Sequence, residues 1–193
     1  MKTQAITKRP RSARRRARLG AAVALAGALL GGTMAKSDSL VLTTSAFPSG
    51  QPIPAEHSCQ GADRSPALTW SGEVAGVKSW TLSVDDPDAP GGTFVHWLAY
   101  DLPPATRGLP AGVPAGESLV GGGQQGRNGF GSVGYRGPCP PRGHGPHRYV
   151  FTLSALDVAS LGLPAGASRN QLDAAMRGHV LASATYTGTF ERK

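Results

Sequence analysis

Four side chains able to bind ions or carry protons stand at the ends of otherwise apolar, alternating segments of this chain. Asp86 closes KSWTLSVDD (78–86), His96 lies early in FVHWLAYDL (94–102), and His147 and Tyr149 open HRYVFTLSALD (147–157). Residues i and i+2 of a strand point the same way, so His147 and Tyr149 share a face with Phe151, Leu153 and Ala155. The same rule groups Trp80, Leu82 and Val84 with Asp86, and Phe94 with His96, Leu98 and Tyr100. The turn-like DDPDAPGG (85–92) between the first two segments would bring Asp86 close to the start of the next strand. A lone polar group on an apolar face is costly, whereas several that converge can form a site. Two imidazoles and a phenol offer donors to an oxyanion. A nearby carboxylate would orient one imidazole and favour its protonated form rather than touch the anion. Periodicity alone equally allows each histidine to satisfy a neighbouring backbone group.

The elements that must hold these residues are mostly strands. The 193 residues suit one domain with a hydrophobic core, and 27 Gly with 16 Pro favour turns and sheet over helix. SLVLTTSAF (39–47), ALTW (67–70) and SATYTGTFE (183–191) read as further strands. One helix is signalled: Ser168 and Gln171 form a capping box, and Leu172, Ala175, Met176, His179 and Val180 recur at helical spacing. His179 on that stripe reads as a core or sheet-facing histidine. A long loop, 103–146, contains GGGQQGRNGFGSVGYRG (121–137). Without a G-K-[ST] ending or a G-x-G-x-x-G between strand and helix, it is no nucleotide-binding loop.

The net charge of +8 resides in the first 35 residues, which carry eight of the 20 Lys and Arg and none of the 12 acids. The remaining 12 basic residues balance the 12 acidic ones, so nucleic-acid binding is not expected. RPRSARRRAR, the apolar LGAAVALAGALLGG and Thr33-Met34-Ala35 have the order of a secretory signal peptide. The chain therefore reads as a leader, 1–35, cleaved after Ala35, and one domain, 36–193, that is periplasmic or secreted. The alternative is an uncleaved N-terminal anchor. Cys59 and Cys139 are either a disulfide, as an exported chain allows, or two buried thiols.

DPDAP (86–90) followed by VHW (95–97), then GPCPPRGHGPHRYVF (137–151), resemble the two signatures of the phosphatidylethanolamine-binding protein family. SPALTW (65–70) upstream and GHVLASATYTGTFER (178–192) at the end extend the likeness over 39–192. HSCQG (57–61) and GPCPP are most similar to the bacterial Raf kinase inhibitor-like branch. The resemblance implies a β-sandwich with a large antiparallel sheet and a few peripheral helices. It also implies that Asp86, Asp88, His96, His147 and Tyr149 line an anion pocket walled by the backbone around Cys139, Pro140 and Pro141. Neither a cofactor nor an obligatory metal is implied. Thr93, Phe94 and Val95 stand where animal members carry an acidic residue and a histidine, so the kinase-regulating role is not carried over.

The expected function is binding of a phosphate-bearing or similar small anion. Membrane contact would come only through an uncleaved leader or a lipid headgroup. A second reading is an inhibitor or regulator of a partner protein of peptidase or kinase type, with no partner identified. A third is metal-assisted hydrolysis, for which His144 and His147 have ligand-like spacing and Asp86, Asp88 and His96 could complete a shell. No catalytic residue is assigned: no G-x-S-x-G is present, and a Cys139 nucleophile requires a free thiol.

Overall fold

The structure, a computed structural model, describes residues 39–193; the leader read at 1–35 lies outside the described residues. A small antiparallel sheet has the order β1 (Val41–Thr43), β2 (Leu68–Ser71), β5 (Gly108–Leu109). The large antiparallel sheet has the order β6 (Gln124–Gln125), β4 (Phe94–Leu102), β3 (Ser79–Asp86), β7 (His147–Leu156), β8 (Val180–Phe190).

The apolar residues that alternate along the large sheet create the sandwich. Trp80, Leu82, Val84, Trp97, Phe151 and Leu153 form one buried cluster with Leu42, Leu68, Trp70 and Leu109 of the small sheet. Trp70 and Trp80 meet across it, ring centroids 6.0 Å apart. The opposite face of the large sheet is covered by α1 (Arg169–Met176), where Leu98 and Tyr100 pack with Ala167 and Leu172. Central β3 is thus buried along its whole length. Its outward Asp85 holds Arg169 of α1 through Arg169 Nη1, 2.6 Å from Oδ1 and 2.5 Å from Oδ2. Among the described residues α1 is the one α-helix, beside a single 3₁₀ turn at Ala55–His57, and no helix is long and apolar enough to cross a membrane.

Strand β4 departs from simple alternation. Val84 pairs with Trp97, but Asp85 pairs with Val95, leaving His96 as the extra residue of a β-bulge. A second irregularity separates Leu82↔Ala99 from Trp80↔Leu102, where Asp101 adopts a left-handed backbone (φ 55°). An extra residue resets which face follows it. The expectation that Phe94, His96, Leu98 and Tyr100 share one face is therefore corrected. Leu98 and Tyr100 face α1, while His96 stacks edge-on against Tyr149, at 5.1 Å, and Trp97 enters the inter-sheet core.

Other boundaries are also reset. The capping box forms: Ser168 Oγ accepts the Gln171 N–H, and Gln171 Oε1 accepts the Ser168 N–H at 2.9 Å. The helix stops at Met176, however. Gly178 (φ 81°) turns the chain and Val180 already begins β8, so His179 and Val180 of the apolar stripe lie beyond the helix. His179 sits in that turn, partly exposed, its Nδ1 donating to Asp157 Oδ1 at 2.8 Å; it is no core histidine. The first strand is shorter than 39–47 because the Thr44 hydroxyl accepts the Ala46 N–H and donates to the Ala67 carbonyl, turning the chain. The 103–146 loop contains β5 and β6.

Candidate functional site

At the end of the large sheet, where β3 finishes and β7 starts, lies a cavity of about 210 Å³. Asp86, His96 and His147 give it polar walls. Cys139, Pro140 and Pro141 close one side, and Ala89, Pro90, Phe94 and Phe130 make the rest apolar.

Alternation on β7 turns His147 inward, and the end of β3 presents Asp86 to it. His147 Nδ1 donates to Asp86 Oδ2 at 2.8 Å, both side chains being buried. His96, thrown inward by the bulge, donates from Nδ1 to the Arg136 carbonyl at 2.7 Å. A carbonyl and a carboxylate only accept, so both Nδ1 atoms carry the proton. Neither Nε2 has a protein partner, and neither belongs to the sealed, unsatisfied polar atoms found among the described residues. Two imidazole Nε2 atoms are thereby left for the cavity. Burial pushes His96 below the ordinary histidine range; the Arg136 carbonyl and the Asp86 charge oppose that shift only partly.

Five residues picked from the sequence meet here: Asp86, His96, Cys139, Pro141 and His147. Two do not line the cavity. Tyr149 is 0% exposed beneath the histidines, its hydroxyl sealed and without a well-formed hydrogen bond. Burial and the Asp86 charge push its phenol well above the ordinary tyrosine range, so it stays protonated. Asp88 is turned aside: its carboxylate accepts from Arg148 through the backbone N–H (2.8 Å), Nε (2.9 Å) and Nη2 (2.7 Å). It fastens the turn after Asp86 to the strand that begins with His147, a positioning role.

The Arg148 hydrogen bonds hold the Asp88 carboxyl down at about 2 from an ordinary value of 3.8. A carboxylate with a depressed pKa stabilises the fold above its unfolded value and loses that contribution as pH falls through the folded one. Asp88→Asn is therefore expected to flatten the stability profile between about pH 4 and 2 relative to wild type, in thermal melts across pH 2–7.

The wall formed by Cys139, Pro140 and Pro141 is fixed by the 55–64 segment. Cys59 and Cys139 form a disulfide with Cα atoms 5.4 Å apart, which decides the alternative left open by the sequence and leaves no thiol for a Cys139 nucleophile. Around it, Cys59 N–H donates to the Pro138 carbonyl (3.1 Å), Tyr135 Oη to the His57 carbonyl (2.6 Å), and Gly137 N–H to Asp63 Oδ1 (2.6 Å). A Cβ on Gly137 would stand 2.0 Å from the His57 carbonyl oxygen, so only glycine fits this approach. The same clamp places the Arg136 carbonyl that holds His96.

Sequence reasoning missed the aromatic lip. Phe94 meets Phe130 edge-on at 4.8 Å, and Phe130 lies 5.7 Å from His96 with the Arg136 guanidinium over its ring at 5.4 Å. Buried Asn128 shapes this part of the Gly-rich loop: its Oδ1 accepts the Phe130 and Ser132 N–H groups and its Nδ2 donates to the Gly134 carbonyl. The one available signal was the setting of Phe130 directly between two glycines, Gly129 and Gly131. His144 is exposed, its ring 6.0 Å from that of His147. Among the described residues no three His, Cys, Asp or Glu side chains are grouped to hold a metal ion.

Two antiparallel sheets with a carboxylate–imidazole pocket at one end make this a β-sandwich domain with a small, pre-formed pocket. A profile described as phosphatidylethanolamine-binding protein matches residues 43–191, and the chain belongs to that family. It is 51% identical over 146 residues to a UPF0098 protein of Aquifex aeolicus, covering 76% of this chain and 85% of that one. A Mycobacterium tuberculosis protein named as a candidate lipoprotein, LppC, is 42% identical over 156 residues, covering 80% and 74%. The crystal structure of Escherichia coli YbcL, described as a new member of the mammalian PEBP family, superposes with a TM-score of 0.74 at 32% identity, covering 81% and 100%.

Proposed function

We propose that this chain is an exported protein whose 36–193 domain holds a small oxyanion, such as the phosphate of a headgroup, between His96 and His147. The observation that carries this reading is the pair of unpartnered Nε2 atoms at one small cavity. Each becomes a charge-assisted donor when its ring is protonated, a bond of about 1.5–3 kcal/mol. At about 210 Å³ the cavity falls below the roughly 300–1,000 Å³ of pockets for drug-sized ligands. It suits a headgroup rather than a whole lipid or nucleotide, and with so few donors free phosphate is held weakly. The apolar lip then meets whatever the phosphate is attached to. Export is supported by the leader pattern at 1–35, by the disulfide and by the similarity to LppC.

His147→Ala is expected to abolish calorimetric binding of inorganic phosphate and glycerol phosphate. Because alanine leaves the buried Asp86 carboxylate unpaired, the double variant Asp86→Asn/His147→Ala separates loss of the site from loss of the fold, read by circular dichroism. Isotherms unchanged from wild type in a folded variant would overturn the assignment.

A further inference from the structure

We infer that the domain carries a second, separate binding site: a hydroxyl-lined cavity between α1 and the large sheet that takes a small neutral sugar or cyclic polyol.

The cavity measures about 200 Å³ and lies on the sheet face opposite the histidines. Its roof is one side of α1, where Arg169, Leu172, Asp173 and Met176 recur at i, i+3, i+4 and i+7. Its floor is polar. Thr81 and Ser83 of β3 lie beside Ser154 and Thr152 of β7, in the register Thr81↔Ser154 and Ser83↔Thr152. A helix on a sheet normally meets apolar side chains, packed with few voids larger than a water molecule. Short hydroxyl residues at this junction give neither the apolar contact nor the filling.

Those hydroxyls are not used up inside the protein. Thr152 makes no side-chain hydrogen bond among the described residues, yet its hydroxyl is not one of the sealed, unsatisfied atoms, so the cavity reaches it. Ser154 and Ser183 share one bond at 2.9 Å, which leaves one of their two O–H donors over. Ser83 donates to Asp85 Oδ2 at 3.0 Å, so its own lone pairs stay open. Thr81 is 3% exposed and has only the Met176 thioether, a weak acceptor at 3.7 Å. At the rim Arg169 commits Nε to Asp173 and Nη1 to Asp85, leaving Nη2 without a partner among the described residues. Polar groups withdrawn from bulk water require partners, and here the partners must come from what enters the cavity.

The same groups define the ligand class. Hydroxyls that both donate and accept match hydroxyls that do the same. Leu172 and Met176 across the cavity match a C–H surface, so the ligand has one hydroxyl-rich face and one apolar face. Two carboxylates, Asp85 and Asp173, outnumber the one guanidinium, which disfavours an anion and separates this site from the histidine pocket. A flat aromatic molecule would leave the hydroxyls unpaired. A single ring bearing several hydroxyls meets all these conditions. At roughly 30 Å³ each, about six or seven waters fill the same space, and the ligand displaces them on entry.

The test is a two-dimensional NMR titration of the full chain with D-glucose, N-acetyl-D-glucosamine and myo-inositol, each with and without excess phosphate. At least one is expected to bind in the millimolar range, shifting the amides of residues 81–83, 152–154 and α1 but not those of His96 or His147. Thr152→Val keeps the side-chain shape and deletes the free hydroxyl. It is expected to weaken that binding at least about fivefold without lowering the thermal midpoint. Asp173→Ala, on the exposed rim, should weaken binding to a similar degree, and phosphate affinity should be unchanged in both variants. The inference is overturned if none of the three probes binds the wild-type chain, or if binding is undiminished in both folded variants. Displacement of the sugar by phosphate would also overturn it, by placing the sugar in the histidine pocket. If a sugar binds as described and phosphate does not bind at all, the oxyanion reading falls and this site stands.

Discussion

Replacing Cys59 and Cys139 together with alanine is expected to lower the stability of the domain by about 4 kcal/mol. The bond joins positions 80 residues apart, so without it the unfolded chain regains the freedom of a long loop. That loss compares with a total of about 5–15 kcal/mol for a typical domain. The folded site should survive it, because the Tyr135–His57, Gly137–Asp63 and Cys59–Pro138 hydrogen bonds hold the two segments independently of sulfur. The expected pattern is a large drop in denaturant midpoint with phosphate binding little changed below the new transition. Exposed Cys59 makes a thiol reductant a second route to the same state. A change smaller than about 1 kcal/mol by either route would contradict this account.

Trp97→Ala is expected to cost about 3–5 kcal/mol, the usual range for emptying a buried aromatic site. Trp97 is 0% exposed, and its Nε1–H donates to Gln125 Oε1 at 2.8 Å. Gln125 is itself fully buried, with Nε2 donating to the Pro114 and Gly116 carbonyls at 2.9 and 2.8 Å. Truncation therefore opens a cavity and also strands an acceptor on a side chain fixed by its other bonds, a penalty of about 1–3 kcal/mol by itself. Trp97→Phe keeps much of the volume and isolates that second part. The indole also packs edge-on against Tyr135, at 5.6 Å, whose hydroxyl holds the 55–64 segment. Anion binding should consequently weaken in Trp97→Ala at temperatures where the protein is still folded. Equilibrium unfolding in urea checks the first claim, and a loss below about 1.5 kcal/mol would refute it.

The strands that carry the site were legible to within a residue or two. KSWTLSVDD, FVHWLAYDL and HRYVFTLSALD became Ser79–Asp86, Phe94–Leu102 and His147–Leu156, because half- or fully-buried strands must alternate or run apolar. The capping box was legible for a similar reason: it is chemistry between residues three apart. What stayed hidden depends on partners distant in sequence. A bulge is a property of two strands, so nothing in FVHWLAYDL alone shows that His96 is the residue left unpaired by β3. Strand β6 exists because Gln124 and Gln125 meet Tyr100 and Ala99, a pairing without a local hydrophobic pattern. The inward direction of Tyr149 followed from period two, but its depth beneath the pocket did not. The family likeness puts Asp88 in the pocket wall, whereas Arg148, pointing outward between His147 and Tyr149, is the partner that an acid on the outer side of that turn meets.

The cavity wall has few torsions left to lose. Pro90, Pro140 and Pro141 carry fixed φ angles, and Cys139 is tied covalently to a second segment. The mould is therefore finished when the protein folds, and a guest entering it meets little reorganisation. Arrival should be governed by diffusion and departure by the guest's own contacts. Tighter guests would be found by matching the fixed contour, since this wall has little slack with which to close around a poor one.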